Sequence, residues 1–233
     1  MLFYYGIDWT YVVLVLPVMI LALIAQANVS STFDKYSKTR LLHSVTGAEA
    51  ARMILDRNGL YNVRIERVSG KLTDHFDPRE NVLRLSDSVY GADTAAAVGV
   101  AAHEAGHAIQ YAQEYAPMKV RAAIIPACNF GSKLAIPLFL IGLFLAIPSL
   151  CYAGIAFFGL AALFQAVTLP VEFNASRRAL KSLEETRRFN ETELTASKKV
   201  LTAAALTYVA ALATSLVQIL RLLIIAGNSR RRN

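Results

Sequence analysis

Hydrophobic residues along this chain are gathered into long runs rather than spread evenly. No charged residue occurs from Trp9 to Phe33, from Leu134 to Val171 or from Val200 to Leu220. A helix needs about 20 apolar residues to cross the hydrocarbon core of a bilayer. The first and last runs each predict one membrane span, and the middle run is long enough for two. We predict spans over residues 10–29, 134–149, 152–170 and 200–225, with a break near 148–151.

The first hydrophobic run can be interpreted as a cleaved signal peptide or as a retained anchor. A signal peptide has a basic segment ahead of its apolar stretch and small residues at its cleavage site. The start Met-Leu-Phe-Tyr-Tyr-Gly carries no basic residue, and no small-residue cleavage site stands out after it. The pattern therefore favours an anchor that stays in the membrane.

Between the first and second spans lies the only segment large enough for a soluble domain, residues 34–133. Thr46 to Glu49 fits a capping box at the start of a short helix, and Asn58-Gly59 fits its end. Residues 63–68 alternate apolar and charged side chains, which predicts a half-buried strand. Residues 82–86 predict a second strand, and a turn over 77–81 precedes it.

A long helix is predicted next, over residues 94–114. Asp93 can cap its start, the segment is rich in alanine without proline, and Pro117 marks its end. Residues 172–189 are polar and helical in composition, and they follow the third span directly. These segments divide the chain into a first span (1–33), a soluble domain (34–133), a hairpin of two spans (134–171), a polar helix (172–199) and a last span with a basic tail (200–233).

The candidate chemistry lies on the long predicted helix, in the stretch His103-Glu104-Ala105-Gly106-His107. Residues four apart share one helix face, so both imidazoles can point at one metal ion. Zinc lowers the pKa of a bound water to about 7. Glu104, beside the first histidine, can take the proton of such a water as it attacks a peptide carbonyl and return it to the leaving amine.

A catalytic zinc usually has three protein ligands and one open position, so a third ligand is needed. His43 and His75 are available, but both precede the motif in the polar part of the domain. Glu172 is better placed, because it is the first charged residue after the long uncharged run and follows a span that returns to the same side of the membrane. We predict His103, His107 and Glu172 as the ligands of one zinc ion per chain.

The charge distribution bears on orientation. A net charge of +7 is compatible with nucleic-acid binding, but in a membrane protein basic residues more often report which loops are cytoplasmic. Lysine and arginine near the spans fall within 35–40, 119–133 and 177–199, whereas the opposite side carries only Arg230–Arg232. We therefore predict a multi-pass cell-membrane protein with a cytoplasmic catalytic domain and no nucleic-acid partner. The basic tail argues the other way, and it would fit better if the fourth span did not cross fully.

The two cysteines, Cys128 and Cys151, stand at opposite ends of the second predicted span. They should lie about 30 Å apart, the thickness of a bilayer core. A disulfide requires α-carbons within about 7 Å of each other. We predict two free thiols.

Four stretches of the chain resemble one family of membrane peptidases. Residues 74–79, 82–86, 101–110 and 171–178 are similar to the YugP-type neutral zinc metallopeptidases of bacteria, which are gluzincins related to the HtpX-like and CAAX-prenyl-protease-like enzymes. The resemblance runs over most of the chain. It implies a mainly α integral membrane protein, with four transmembrane helices and a small α+β gluzincin-like zinc peptidase domain at the membrane surface.

The resemblance also implies roles for single residues. It implies His103, His107 and Glu172 as zinc ligands and Glu104 as general base. At the position where HtpX-like enzymes place an aspartate that orients a ligand histidine, this chain has Ser176. In such enzymes the strand before the metal helix is often an edge that pairs with the substrate backbone. The candidate edge strand here is Val82, Leu83, Arg84, Leu85 and Ser86.

Three functions compete at this stage. The first is a zinc endopeptidase acting on membrane or unfolded proteins, for which quality control of membrane proteins is a natural role. The second is an inactive membrane scaffold that retains the zinc site, and the intact Glu104 counts against it. The third is a metal carrier, which the absence of histidine and acidic residues within the predicted spans disfavours. A partner protein could pack on the small residues of the third span, although packing within the chain is the simpler explanation.

Overall fold

The computed structural model describes residues 9–230, so residues 1–8 and the tail residues 231–233, including two arginines of the predicted basic tail, lie outside the described part. A π-helical turn, Tyr11–Val15, leads into the first helix. The helices are α1 (Leu16–Tyr36), α2 (Gly47–Arg57), α3 (Asp87–Tyr90), α4 (Ala95–Ala112), α5 (Ala116–Phe144), α6 (Pro148–Glu185) and α7 (Glu191–Arg230). The strands are β1 (Arg64–Val68), β2 (His75–Asp77) and β3 (Val82–Ser86).

Four helices are long and apolar enough to cross a membrane, as the hydrophobic runs predict: α1 with its π turn, α5, α6 and α7. Large apolar side chains such as Leu21, Leu23 and Phe144 remain more than half exposed on them. Apolar surface of this extent in a soluble protein would favour aggregation, whereas a lipid environment accommodates it. Membrane association is therefore the interpretation that the helices support.

The boundaries of these helices differ from the predicted spans. The break between the second and third spans falls at residues 145–147, and α6 already begins at Pro148. Proline is well tolerated in the first turn of a helix, so it starts this one instead of interrupting it. Helix α5 begins at Ala116 rather than near residue 134, because lysine and arginine are good helix formers and do not stop a helix.

The polar segment 172–199 is shared between two helices. Helix α6 continues without interruption from its apolar run to Glu185, and α7 begins at Glu191, ahead of its own apolar run. The turn between α6 and α7 ends at Asn190 and Glu193. The side chain of each residue accepts a hydrogen bond from the backbone N–H of the other at 2.9 Å. This reciprocal cap fixes where α7 starts.

The chain divides into two compact units, each built from separate segments. The first lies within Met1–Ala25, Val120–Leu169 and Thr207–Asn233. The second, here called the site unit, comprises Gln26–Lys119 and Pro170–Leu206. The first segment of the site unit thus ends at Lys119, ahead of the predicted limit of the soluble domain at residue 133. The second segment includes all of the predicted polar helix, residues 172–199.

A three-stranded sheet in the site unit has the order β1-β3-β2. Strand β3 pairs in parallel with β1, with Ile65 opposite Leu83, and antiparallel with β2, with Phe76 opposite Leu83. The strand Val82–Ser86 is therefore the central strand, and its interpretation as a substrate-pairing edge is wrong because both of its edges are occupied. Strand β2, one of the two outer strands, was not predicted from the sequence, because three residues are too few to form a periodic pattern. Asp77, its last residue, was predicted to lie in a turn.

Helix ends in the site unit follow local hydrogen bonding. The capping box of Thr46 and Glu49 is confirmed. Helix α4 is capped by Thr94, whose hydroxyl accepts from the N–H of Ala97, and not by Asp93. It ends at Ala112, and Pro117 lies in the first turn of α5 instead of closing α4. The alanine-rich face of α4 packs into one apolar core with α2 and β3, which holds the motif helix rigidly.

Both cysteines are free and buried, as predicted. The Cys128 thiol donates to the carbonyl of Leu160 at 3.3 Å, and the Cys151 thiol donates to the carbonyl of Phe139 at 3.6 Å. These contacts belong to neighbouring helices of the first unit.

Candidate metal centre

Helix α4 presents its two motif histidines side by side. His103 and His107 lie one turn apart, and their rings meet edge to face with centroids 4.7 Å apart. His107 is buried and His103 is partly buried. An i, i+4 pair on a helix that is anchored in a core has little freedom to reorient, so the two ring nitrogens face a common point.

Glu172, on α6, completes the group. Its Oε2 atom lies 3.2 Å from Nε2 of His103 and 3.5 Å from Nε2 of His107. The Glu172 side chain is only 4% exposed. Among the residues described, this is the one group of three or more His, Cys, Asp or Glu side chains whose ligand atoms lie close enough to hold a metal ion, all within 4.8 Å of one another.

The alternative third ligands lie elsewhere. His75 is exposed on β2, and its Nδ1 atom is 2.8 Å from the carbonyl oxygen of Thr73. His43 is exposed in the loop between α1 and α2. Neither belongs to the group formed by His103, His107 and Glu172.

The geometry of this group fits zinc. Zinc binds imidazole nitrogen and carboxylate oxygen at about 2.0–2.2 Å, usually tetrahedrally, which separates neighbouring ligand atoms by about 3.4 Å. The two nitrogen–oxygen distances of 3.2 and 3.5 Å lie on either side of that value. Two imidazoles and one carboxylate are also a donor set typical of a catalytic zinc with one open position.

Gln110 fixes which nitrogen of His107 carries the proton. The Gln110 side-chain N–H groups donate to the carbonyl of Val171 at 2.8 Å and to Oδ1 of Asn174 at 2.9 Å. Its Oε1 atom therefore faces Nδ1 of His107, 3.0 Å away, as an acceptor. A proton on Nδ1 leaves the Nε2 lone pair available, and Nε2 is the atom that faces Glu172. Gln110 lies three residues after His107 on the same helix face. This spacing is the sequence pattern from which its contact with His107 could have been predicted.

Ser176 lies in the corresponding place beside His103. Its Oγ atom is 3.1 Å from Nδ1 of His103. A hydroxyl can accept the Nδ1 proton, so the Nε2 atom of His103 is also left to face Glu172. The serine makes this contact without the negative charge of the aspartate found in HtpX-like enzymes.

The electrostatic environment of His107 is set by acidic neighbours. Burial of the imidazole lowers its pKa, but the hydrogen bond to Glu172 and the negative charges of Glu104 and Glu172 outweigh burial and leave the pKa of His107 raised. The same charges that favour a proton on the ring favour a metal cation. Proton and metal therefore compete for one negatively charged site.

Glu104 is held beside the group by the sheet. Its Oε2 atom accepts a hydrogen bond from the backbone N–H of Phe76, on β2, at 3.1 Å. A further carboxylate, Asp74, lies nearby and accepts from the N–H and hydroxyl of Ser86 at 2.7 and 2.9 Å. Burial raises the pKa of Asp74, and the negative charge of Glu104 raises it further. The hydrogen bonds from Ser86 lower this pKa, but it remains raised overall. Neither the Phe76 contact nor Asp74 was expected from the motif.

Gly106 allows the helix that carries the two histidines to approach the helix that carries Glu172. A Cβ atom at this position would lie 2.6 Å from the carbonyl oxygen of Ala175 on α6. The neighbouring atom is backbone and cannot rotate away. The glycine inside the motif is therefore required by the close contact of α4 with the helix that carries Glu172.

We expect Gly106→Ala to force these helices apart and weaken the metal site. Overpacking of this kind costs about 1–3 kcal/mol of stability, and a displaced ligand should lower zinc affinity by about tenfold or more. Thermal unfolding and zinc titration against a competing chelator measure both effects. Gly159→Ala is the matched control, because a Cβ at that helical glycine meets nothing within 4 Å. Wild-type zinc affinity in Gly106→Ala would contradict the expectation.

Comparisons with known proteins identify the family of the chain. Residues 11–227 match the model of a family described as "Putative neutral zinc metallopeptidase". The chain is also 47% identical over 209 residues to a protein of Bacillus subtilis (strain 168) named "Putative membrane protease YugP", a match that covers 90% of this chain and 93% of that protein. No solved structure matches significantly.

Proposed function

Because the chain belongs to the family described as "Putative neutral zinc metallopeptidase", we propose that it is a membrane-embedded zinc-dependent endopeptidase with a gluzincin-like site. The observation that carries the proposal is the convergence of His103, His107 and Glu172 on one point, with their ligand atoms within 4.8 Å of one another. One zinc ion per chain would be held by these three side chains.

Zinc in this site would supply Lewis acidity, which lowers the pKa of a bound water to about 7 and polarises a carbonyl. The chain itself supplies the proton transfers. Glu104 follows the first proposed ligand directly and is buried, so its carboxylate can accept a proton from the attacking water and deliver it to the leaving amine nitrogen. Gln110 and Ser176 act as positioning residues, since each satisfies the Nδ1 atom of one ligand histidine.

We propose that the substrate backbone pairs with β2 and not with β3. Strand β2 is one of the two outer strands of the described sheet, so one of its edges has no strand beside it. The N–H of Phe76 points from β2 to Glu104, which places the open edge next to the proposed base. Addition of an extended peptide to such an edge is a common recognition mode, and it favours unfolded or extended polypeptides as substrates.

The position of Glu172 supports a site close to the bilayer. It follows Val171, the last residue of the long uncharged run, on the same unbroken helix. Membrane proteins and unfolded segments near the membrane are therefore the substrates we propose, in a role such as membrane-protein quality control. The basic residues flanking the spans support a cytoplasmic site in the cell membrane.

Metal removal tests the proposal. Purified protein in detergent should cleave an unfolded substrate such as casein, lose this activity after dialysis against a chelator, and regain it with one equivalent of zinc per chain. The chelator-treated protein should keep its helical circular dichroism, which separates loss of metal from loss of fold. Zinc bound at one equivalent without cleavage of any unfolded or membrane substrate would instead favour the inactive scaffold.

A further inference from the structure

A basic groove lies in the site unit, on a different set of residues from the metal site. It has a volume of about 560 Å³, within the range of about 300–1,000 Å³ typical of ligand-binding clefts. One wall is the end of α1 and the other is the start of α7. The lining residues are Asn28, Thr32, Lys35, Tyr36, Thr195, Lys198, Lys199, Thr202, Ala203 and Leu206.

The walls of the groove are regular helix faces that pack against one hydrophobic core. The lining residues of each helix recur at intervals of three and four, so each set forms one face. Phe33, one residue from the α1 face, is buried in the same core as Val200 and Leu201 of α7. The two faces are therefore held by one core, and the groove does not depend on mobile loops.

The charge in the groove is of one sign. Lys35, Lys198 and Lys199 line it, and no acidic residue does. The nearest acids in sequence are otherwise engaged, since Asp34 pairs with Lys71 at 2.7 Å and Glu193 accepts from the N–H of Leu42 at 2.9 Å. In the part of the chain with described side chains, the three lysines have no carboxylate partner within 4 Å. Their charges are available to an anion.

Polarity changes along the groove in the same direction on both walls. Along α1, Lys35 follows Asn28 and the end of the uncharged run. Along α7, Lys198 and Lys199 directly precede the uncharged run that contains Leu206. Seven residues of helix separate Lys35 from Asn28 and Lys199 from Leu206, which is about 10 Å on each wall. The lysines therefore stand at the polar ends of two apolar runs, where a bilayer has its phosphates.

We propose that this groove binds an anionic phospholipid, with the phosphate among the three lysines and the upper acyl chains along Ala203 and Leu206. Basic pockets between membrane helices are suited to such headgroups. The inference rests on the membrane location of α1 and α7 and not on the peptidase activity. A bound lipid would join the ends of these two helices in the unit that holds the metal site.

Lipid retention tests the proposal. The full-length protein in detergent is mixed with phosphatidylglycerol or with phosphatidylcholine of identical acyl chains, and bound lipids are counted by native mass spectrometry. Wild type should retain one phosphatidylglycerol in preference to phosphatidylcholine. The variant Lys35→Gln/Lys198→Gln/Lys199→Gln should bind it about a hundredfold more weakly, since each lysine near an anionic lipid contributes roughly a fivefold factor.

The matched control is Lys119→Gln/Lys133→Gln/Lys181→Gln, which removes the same charge elsewhere and should bind like wild type. If the triple groove variant loses its bound zinc, Lys198→Gln alone serves in its place, with an expected loss of about fivefold. Inorganic phosphate and glycerol phosphate are added as competitors. Equal lipid retention by groove and control variants, or displacement of the lipid by these soluble anions at matched concentration, would overturn the proposal.

Discussion

Glu104→Gln should retain zinc at the wild-type stoichiometry and cleave an unfolded substrate about 10²- to 10⁴-fold more slowly, the usual contribution of a positioned general base. Glutamine has the shape of glutamate, and its side-chain oxygen can still accept from the N–H of Phe76. It cannot accept a proton from water at neutral pH. The substitution therefore removes the chemistry and leaves the ligands in place.

Zinc content by elemental analysis and initial cleavage rates with a fluorescent casein measure this outcome. Glu114→Gln is the matched control, because Glu114 follows the same helix, is exposed and pairs with Lys119 at 3.0 Å. Its cleavage rate should equal that of wild type. Equal rates for wild type and Glu104→Gln would show that another group takes the proton, and the proposed role of Glu104 would be wrong.

Glu172→Ala should lower zinc affinity by more than about a hundredfold, beyond the effect of losing a residue that only orients a ligand. The substitution removes one of three ligand atoms and the negative charge that faces both histidines at 3.2 and 3.5 Å. Glu172→Gln retains the side-chain volume and removes the charge. It should lose most of the same affinity, because a neutral amide oxygen is a weaker ligand than a carboxylate.

Competition titrations with a zinc chelator give the affinities, and thermal unfolding of the metal-free proteins shows whether the fold survives. Glu185→Ala, at the exposed end of the same helix, should bind zinc like wild type. Unchanged zinc affinity in both Glu172 variants would exclude this residue as a ligand. The third ligand would then be another side chain, and His43 and His75 are the first candidates to substitute.

The sequence predicted the parts of this protein that depend on local periodicity. Four long apolar helices, the capping box at Thr46 and strand β3 follow from patterns within a few residues of each other. Helix boundaries were less accurate, because α5 and α6 run through charged and polar residues that favour helix as much as the apolar ones do. Where a helix begins or ends depends on caps such as that of Asn190 and Glu193, which lie outside any hydrophobic pattern.

Strand order could not be obtained in the same way. Residues 82–86 have the apolar pattern of a strand in either position, and only the pairing with both β1 and β2 makes β3 central. The three-residue strand β2 exists because its neighbour holds it, not because His75, Phe76 and Asp77 favour extended structure. The contact of Phe76 with Glu104 depends on that placement. The three members of the metal group could be predicted from the sequence. The i, i+4 spacing indicated the two histidines, and Glu172 is the first charged residue after a long uncharged run.

The separation of the three proposed ligands along the chain has a consequence for biosynthesis. His103 and His107 lie on α4, and Glu172 lies on α6 beyond the apolar hairpin of α5 and α6. A nascent chain that has emerged only to the end of α4 holds two ligands and no complete zinc site. On the proposed function, the peptidase cannot become active on the ribosome before its hairpin and Glu172 have been synthesised. The order of the segments along the chain would then keep the early nascent chain free of proteolytic activity.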